Sequence, residues 1–340
     1  MIERIRHAHY ARQSRKHAVT NFSGPTELIW SLGYSLECDI TPFRDKCFPA
    51  DYFTGSETAY LFPENYIYDV QDGNTVWITA NRVHDFATKV LPKLKARVTL
   101  VISDGDDTFP SALERKMNVA AFINHPRILA IFSQNYDGSY PSGKIHNLPI
   151  GNDFHTINRN GGFWGSPQQN AQEQEKILKN TFEHAPQIEA RNQKAFVDFH
   201  LSDRKTWDGT RRSDIYRMLS ESAAGCIDVA QERMARSELW KQKANYAFSI
   251  SPHGAGLDCH RTWEDLCLGC IVIVKTSSLD SLYEGLPVVI VKDWREVNPS
   301  AMSAWFRRYA PLTRSGFGQA RLRTAYWMQK IRRETASRLL

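Results

Sequence analysis

Short apolar runs alternate along this chain with stretches whose apolar residues recur every three or four positions. The runs at 75–79 (TVWIT), 97–103 (RVTLVIS) and 128–132 (ILAIF) predict strands. Between the first two, Val83, Phe86, Val90 and Leu94 fall at helical spacing, and a shorter periodic stretch covers 112–123. The segment 158–170 (NRNGGFWGSPQQN) is a Gly- and Asn-rich loop, followed by a polar helix over 171–184. A second alternating series then begins. Strands are predicted at 195–199, 225–229, 248–251, 271–274 and 288–291, with helices over 213–222, 236–244 and the stretch after the 252–256 turn. Runs such as Ile271 to Val274 are unbroken and β-branched, which marks strands covered on both faces. Strand–helix alternation implies parallel sheets with helices packed against them. The expected fold class is therefore α/β: two Rossmann-like domains facing a cleft, over 1–165 and 166–310, closed by a C-terminal helix in 311–340 that packs back on the first domain.

The densest chemistry lies in 248–274, FSISPHGAGLDCHRTWEDLCLGCIVIV. Pro252, His253, Gly254 and Gly256 form a tight turn that feeds a helix, and Gly269 ends that helix. Unpaired N–H groups and the helix dipole make such a junction an anion site. Arg261 can meet a phosphate there, and Glu264 can accept hydrogen bonds from ribose or sugar hydroxyls. An ordinary βαβ turn is the alternative. The string RTWEDLCLGCIVIV resembles the C-terminal signature of the exostosin-like glycosyltransferases, with Arg261, Glu264, Leu266, Gly269, Cys270, Ile271 and Val272 carrying the match. Asp265 replaces the usual small residue, and Ile273 follows where a proline-containing run is usual. The segments 132–138 and 144–155 also resemble that family's middle region. The resemblance implies a GT-B arrangement, with an acceptor-side first domain and a second domain that binds a nucleotide-sugar, most often UDP-linked. It implies transfer with inversion to a glycan or other hydroxyl acceptor, with no metal cofactor.

On that reading Arg211 and Arg212, after the strand at 195–199, grip the donor diphosphate; guanidinium is always charged and binds phosphate in a bidentate fork. Otherwise they only decorate a helix start. His253, Gly254 and Gly256 line the donor side, or His253 is a turn histidine. Asp258 and Arg261, three apart, can pair with each other. In the first domain, Asp104-Gly105-Asp106 is formally a DxD, a pattern able to hold a divalent cation. Asp106 is otherwise the general base facing the acceptor, or the cap of the next helix. His84, His146 and His155 are alternative bases, and the loop 21–27 is a further acceptor-side candidate.

Composition adds limits. Hydrophobic residues are 42% and charged residues 24%, values ordinary for a globular protein. No apolar run reaches the roughly 18 residues that span a bilayer, and the basic stretch 1–16 lacks the apolar core of a secretory signal. A cytoplasmic protein is expected. The six cysteines show no disulfide framework, and Cys267 and Cys270 read as buried thiols rather than zinc ligands. Residues 301–340 hold nine Lys/Arg and one acid, so the formal charge of +6 resides in the tail. That tail is either a closing helix with a solvated basic face or a peripheral membrane contact. It carries no nucleic-acid-reading motif. Besides metal-free transfer, two readings stay open: a metal-dependent DxD transferase and a non-catalytic sugar- or nucleotide-binding module.

Overall fold

The computed structural model describes residues 25–43, 69–159, 162, 165–201, 203–230, 232 and 234–340. The stretch 1–16, most of the 21–27 loop and Cys47 lie outside the described residues.

The chain folds into two parallel sheets with helices against them, an α/β fold of two Rossmann-like halves. The first sheet holds β1 (Thr75–Thr79), β2 (Val98–Ser103), β3 (Ile128–Ser133) and β4 (Ile145–Asn147), in the order β1-β2-β3-β4. All residues of β1, β2 and β3 are buried, as strands with both faces covered require. The second sheet holds β5 (Asn192–Val197), β6 (Ile227–Val229), β7 (Tyr246–Ile250), β8 (Ile271–Lys275) and β9 (Val288–Val291), in the order β6-β5-β7-β8-β9. The chain passes from β5 outward to β6 and then returns to the other side of β5 at β7. The winding direction thus reverses between β5 and β7, and the loops leaving their carboxyl ends diverge to leave a crevice.

The helices are α1 (Gly33–Glu37), α2 (Val119–Ile123), α3 (His155–Arg159), α4 (Ala171–Glu183), α5 (Arg212–Ser222), α6 (Arg236–Lys243), α7 (His260–Cys267), α8 (Pro299–Thr313) and α9 (Thr324–Leu339). A capping box starts α4: Asn170 accepts from the Glu173 N–H, and the Glu173 carboxylate accepts from the Asn170 N–H. Two expected helices differ. The stretch from Ala80 to Lys93 is a chain of 3-10, α and π turns, although Val83, Phe86 and Val90 face inward as their spacing predicts. The expected helix over 112–123 is a turn at Ser111–Leu113 followed by α2.

The tail does not project. Helix α9 packs on the first sheet: Trp327 and Ile331 are fully buried, and Thr335 shares a 2.7 Å hydroxyl contact with Thr99 of β2. Its apolar face is therefore spent on the core, which leaves a peripheral membrane contact no apolar face to rest on. Among the described residues no helix is long and apolar enough to cross a membrane. Cys267 and Cys270 are buried, and burial pushes the Cys270 thiol up to about 12, so it stays protonated.

Candidate active site

A cavity of about 370 Å³ opens at the carboxyl end of the first sheet. Asn81 follows β1, Asp104 and Asp106 follow β2, and Gln134 follows β3; His155 at the start of α3 and His260 at the start of α7 close the opposite side. The loop after β2 is fixed in a strained form. Asp104 has φ +62° and Gly105 has φ +152°, and the Gln134 amide donates to the Gly105 carbonyl at 2.7 Å. That conformation turns Asp104 and Asp106 toward the cavity, and Asp106 is exposed. His84 points elsewhere in the chain's first helical turns and does not line the cavity. His146 belongs to a second cavity of about 250 Å³ and pairs with Glu334 at 3.2 Å.

Behind His155 sits a buried charge cluster that sequence reasoning missed. Asp153 Oδ1 lies 3.2 Å from His155 Nδ1, and Asp153 Oδ2 lies 3.5 Å from the Arg236 guanidinium. Burial opposes the charge on Asp153, but His155, Arg236 and His260 outweigh it and hold its carboxyl well below the usual range. Arg236 also pairs with Glu264 at 2.6 Å and donates to the Asp153 carbonyl. Trp240 Nε1 donates to the second Glu264 oxygen at 3.0 Å. Glu264 is thus buried and faces protein partners on α6 and the 150–155 segment, rather than the cavity. The signal for this cluster was present as the residues of GNDFH and CHRTW, but their meeting depends on long-range packing.

The other expected donor residues lie in the segments that follow β5 and β7. Arg212 opens α5 directly after the β5 loop, half-buried. Burial and the neighbouring Arg261 and Arg204 cations depress its pKa, a sign of clustered positive charge. Arg211 caps the same helix and is exposed. Arg261 Nε pairs with Asp198, at the end of β5, at 2.5 Å; Asp198 in turn pairs with the buried Lys243 at 2.8 Å, and Lys243 with Asp265 at 2.5 Å. The Asp258–Arg261 pair does not form, because Arg261 pairs with Asp198 and Asp258 is used elsewhere. It accepts from the Ile150 N–H at 2.8 Å and from Trp263 Nε1 at 3.0 Å. His253 is buried, and its Nδ1 donates to the Leu257 carbonyl at 2.8 Å. Burial lowers its pKa, so the ring is neutral near pH 7. The Gly254 carbonyl accepts from the Trp207 N–H at 3.0 Å. Gly256 is held against the first half: a Cβ there would lie 3.0 Å from Asn135 and 3.1 Å from the Asp106 carbonyl oxygen.

No family model matches this chain, and no curated relative matches it by sequence. Solved structures give distant likenesses. The GtfA/B complex is 11% identical with a TM-score of 0.37, covering 86% of this chain, which spans only 62% of that one. The OtsA apo structure is 12% identical with a TM-score of 0.40, covering 80% of this chain and 72% of that one. The catalytic domain of starch synthase IV from Arabidopsis thaliana, bound to ADP and acarbose, is 10% identical with a TM-score of 0.36, covering 83% and 78%. At such scores the likeness settles no activity, and none of these structures bears on the exostosin-like resemblance.

Proposed function

We propose that this chain is a glycosyltransferase that moves a sugar from a nucleotide-sugar, UDP-linked in the first instance, to a hydroxyl acceptor. One observation carries the reading. A topological switch point between β5 and β7 gathers Arg204, Arg212 and Arg261 at the carboxyl edge of one sheet, while the carboxyl edge of the other presents Asp104 and Asp106 to a polar cavity. Clustered guanidinium groups beside a helix N-terminus favour a dianionic diphosphate. Exposed carboxylates across the cavity favour a hydroxyl-bearing acceptor.

In this scheme Asp106 takes the proton of the acceptor hydroxyl as that oxygen attacks the anomeric carbon in line, with inversion. The arginines and the α7 N–H groups stabilise the departing diphosphate, so the leaving group needs no metal. Asp198 takes the Arg261 Nε–H and the Cys259 sulfur one hydrogen of a terminal nitrogen, which fixes the guanidinium without using all five of its donors. The exostosin-like signature supports the same donor class. Calorimetric titration with UDP and GDP, followed by release assays on UDP- and GDP-sugars, tests the reading. Binding of a nucleoside diphosphate that Arg212→Ala weakens by about tenfold or more is expected, at about 1.4 kcal/mol per tenfold. Absence of binding to any nucleotide or nucleotide-sugar would remove it. Nucleotide binding without turnover on any acceptor would leave the non-catalytic binding module.

A further inference from the structure

Asp153 lies at the centre of a buried charge cluster behind the cavity. Asp153 and Glu264 are both buried, and one guanidinium, that of Arg236, faces both. Burial keeps water from screening this group. Next to it stand His155 and His260, with ring centroids 5.3 Å apart. One ligand atom from each of Asp153, His155 and His260 lies within 4.8 Å of the other two. The DxD carboxylates Asp104 and Asp106 belong to no such group of three among the described residues.

The orientation of His260 bears on what the group can bind. Its Nδ1 lies 2.7 Å from the Gly151 carbonyl oxygen. A carbonyl only accepts, so Nδ1 carries the proton and Nε2 keeps its lone pair. This is how imidazole ligands are aimed at metals, through a hydrogen bond from the second ring nitrogen. Gly151 is itself constrained: its φ is +71°, and a Cβ would lie 2.4 Å from the Ile29 carbonyl oxygen. The 3.2 Å between Asp153 Oδ1 and His155 Nδ1 matches two ligands of one ion, since donors at about 2.0–2.1 Å from a tetrahedral centre stand roughly 3.3 Å apart.

We propose that Asp153, His155 and His260 form a three-ligand site for a divalent first-row transition ion, with its open coordination position facing the 370 Å³ cavity. An N2O donor set suits zinc or cobalt better than manganese, magnesium or calcium, which prefer oxygen-rich shells. Three protein ligands with one position open is the arrangement of a reactive rather than a purely structural metal. Its place on the acceptor side rests on the glycosyl-transfer reading; its binding does not. Such a site departs from the expectation of no metal cofactor, while in the proposed transfer the arginines still neutralise the diphosphate.

The test uses the full chain, stripped with EDTA and titrated with Zn2+ and Co2+. Saturation at about one ion per chain, with visible Co2+ absorption of a low-coordinate N/O site, is expected. His260→Ala and Asp153→Asn should each weaken Zn2+ binding by about 10²-fold or more, while His184→Ala, on the exposed end of α4, should leave it unchanged. Thermal melting of each variant in EDTA reports whether it still folds; a variant that does not is replaced by His155→Gln. Absence of stoichiometric binding, or binding undiminished in folded ligand variants, overturns the proposal. UDP binding measured in EDTA reads the functional proposal separately. If no ion binds while UDP does, the glycosyl-transfer reading survives and the triad becomes an Asp–His dyad beside Asp106.

Discussion

Glu264 occupies the acidic position of the signature helix, yet both its oxygens are engaged inside the protein. Arg236 lies at 2.6 Å, Trp240 Nε1 at 3.0 Å and the Asp153 N–H at 3.2 Å. A ligand hydroxyl reaching this carboxylate would have to displace one of them and leave it buried without a partner. Glu264→Gln should therefore lower the unfolding free energy by about 1–3 kcal/mol, with UDP affinity changed less than about threefold. Denaturant melts and calorimetry on the same samples check both halves; a tenfold loss of UDP affinity at unchanged stability would put Glu264 in the donor site instead. Asp106 is the contrasting residue. It is exposed, lines the cavity and sits in a loop whose backbone is pinned by Gln134. Asp106→Asn should cut turnover by about 10² to 10⁴. Donor affinity should hold, because the donor's cations belong to the other sheet. A collapse of donor affinity in this variant would assign Asp106 to the nucleotide.

At the scale of elements, the loop between β5 and α5 presents Arg204, Arg211 and Arg212, and Asp208 holds it. Its carboxylate accepts from Lys275 of β8 at 2.6 Å, from the Thr206 hydroxyl at 2.5 Å and from the Thr210 N–H at 3.1 Å. Burial opposes its ionisation, but these three partners hold its pKa well below the usual range. The unfolded chain binds its proton near pH 4, earlier than the folded one. The contribution is therefore present in full above about pH 4 and is lost as pH falls further. Asp208→Asn should flatten the acid side of the stability curve, and denaturant midpoints between pH 2 and 5 read it; a slope equal to the parent's would show that Asp208 does not anchor the loop. Most strands were legible because a strand covered on both faces is apolar at most positions, as β1, β2 and β8 are. Strand β4 was not, since three residues with one apolar side chain carry no pattern. The helical stretch after β1 shows the limit of periodicity: Val83, Phe86 and Val90 reveal which face is buried, but π and 3-10 turns bury nearly the same face as an α-helix. Arg212 and Arg261 were legible as guanidinium groups near glycine turns. The Asp153–His155–His260 group was not, because it depends on which loop of one sheet meets which helix of the other.

At the scale of the whole molecule the two halves are stitched rather than merely apposed. The Asp258 N–H donates to Asn135 Oδ1 at 2.8 Å, Asn147 donates to the Ser278 carbonyl at 2.8 Å, and the Ser278 hydroxyl donates to the Tyr136 carbonyl at 2.6 Å. The last helix completes this. Helix α9 leaves the second half and lies on the first sheet, with Trp327 Nε1 donating to the Arg321 carbonyl at 2.8 Å and the indole fully buried in the core cluster that also holds Trp30, Phe132 and Trp263. On this helix Lys330, Arg332 and Arg333 are exposed and form its solvent face. Trp327→Ala should then cost about 3–5 kcal/mol of stability, the range for emptying a large aromatic site, and should leave binding to phosphatidylserine vesicles unchanged. Any vesicle binding by the parent should come from charge alone and fade as salt is raised, since exposed charges are screened. A lipid-inserting helix makes the opposite prediction, because its indole would contribute to the membrane and not to the core: stability would hold while vesicle binding fell. Melting and vesicle co-sedimentation of the one variant decide between them.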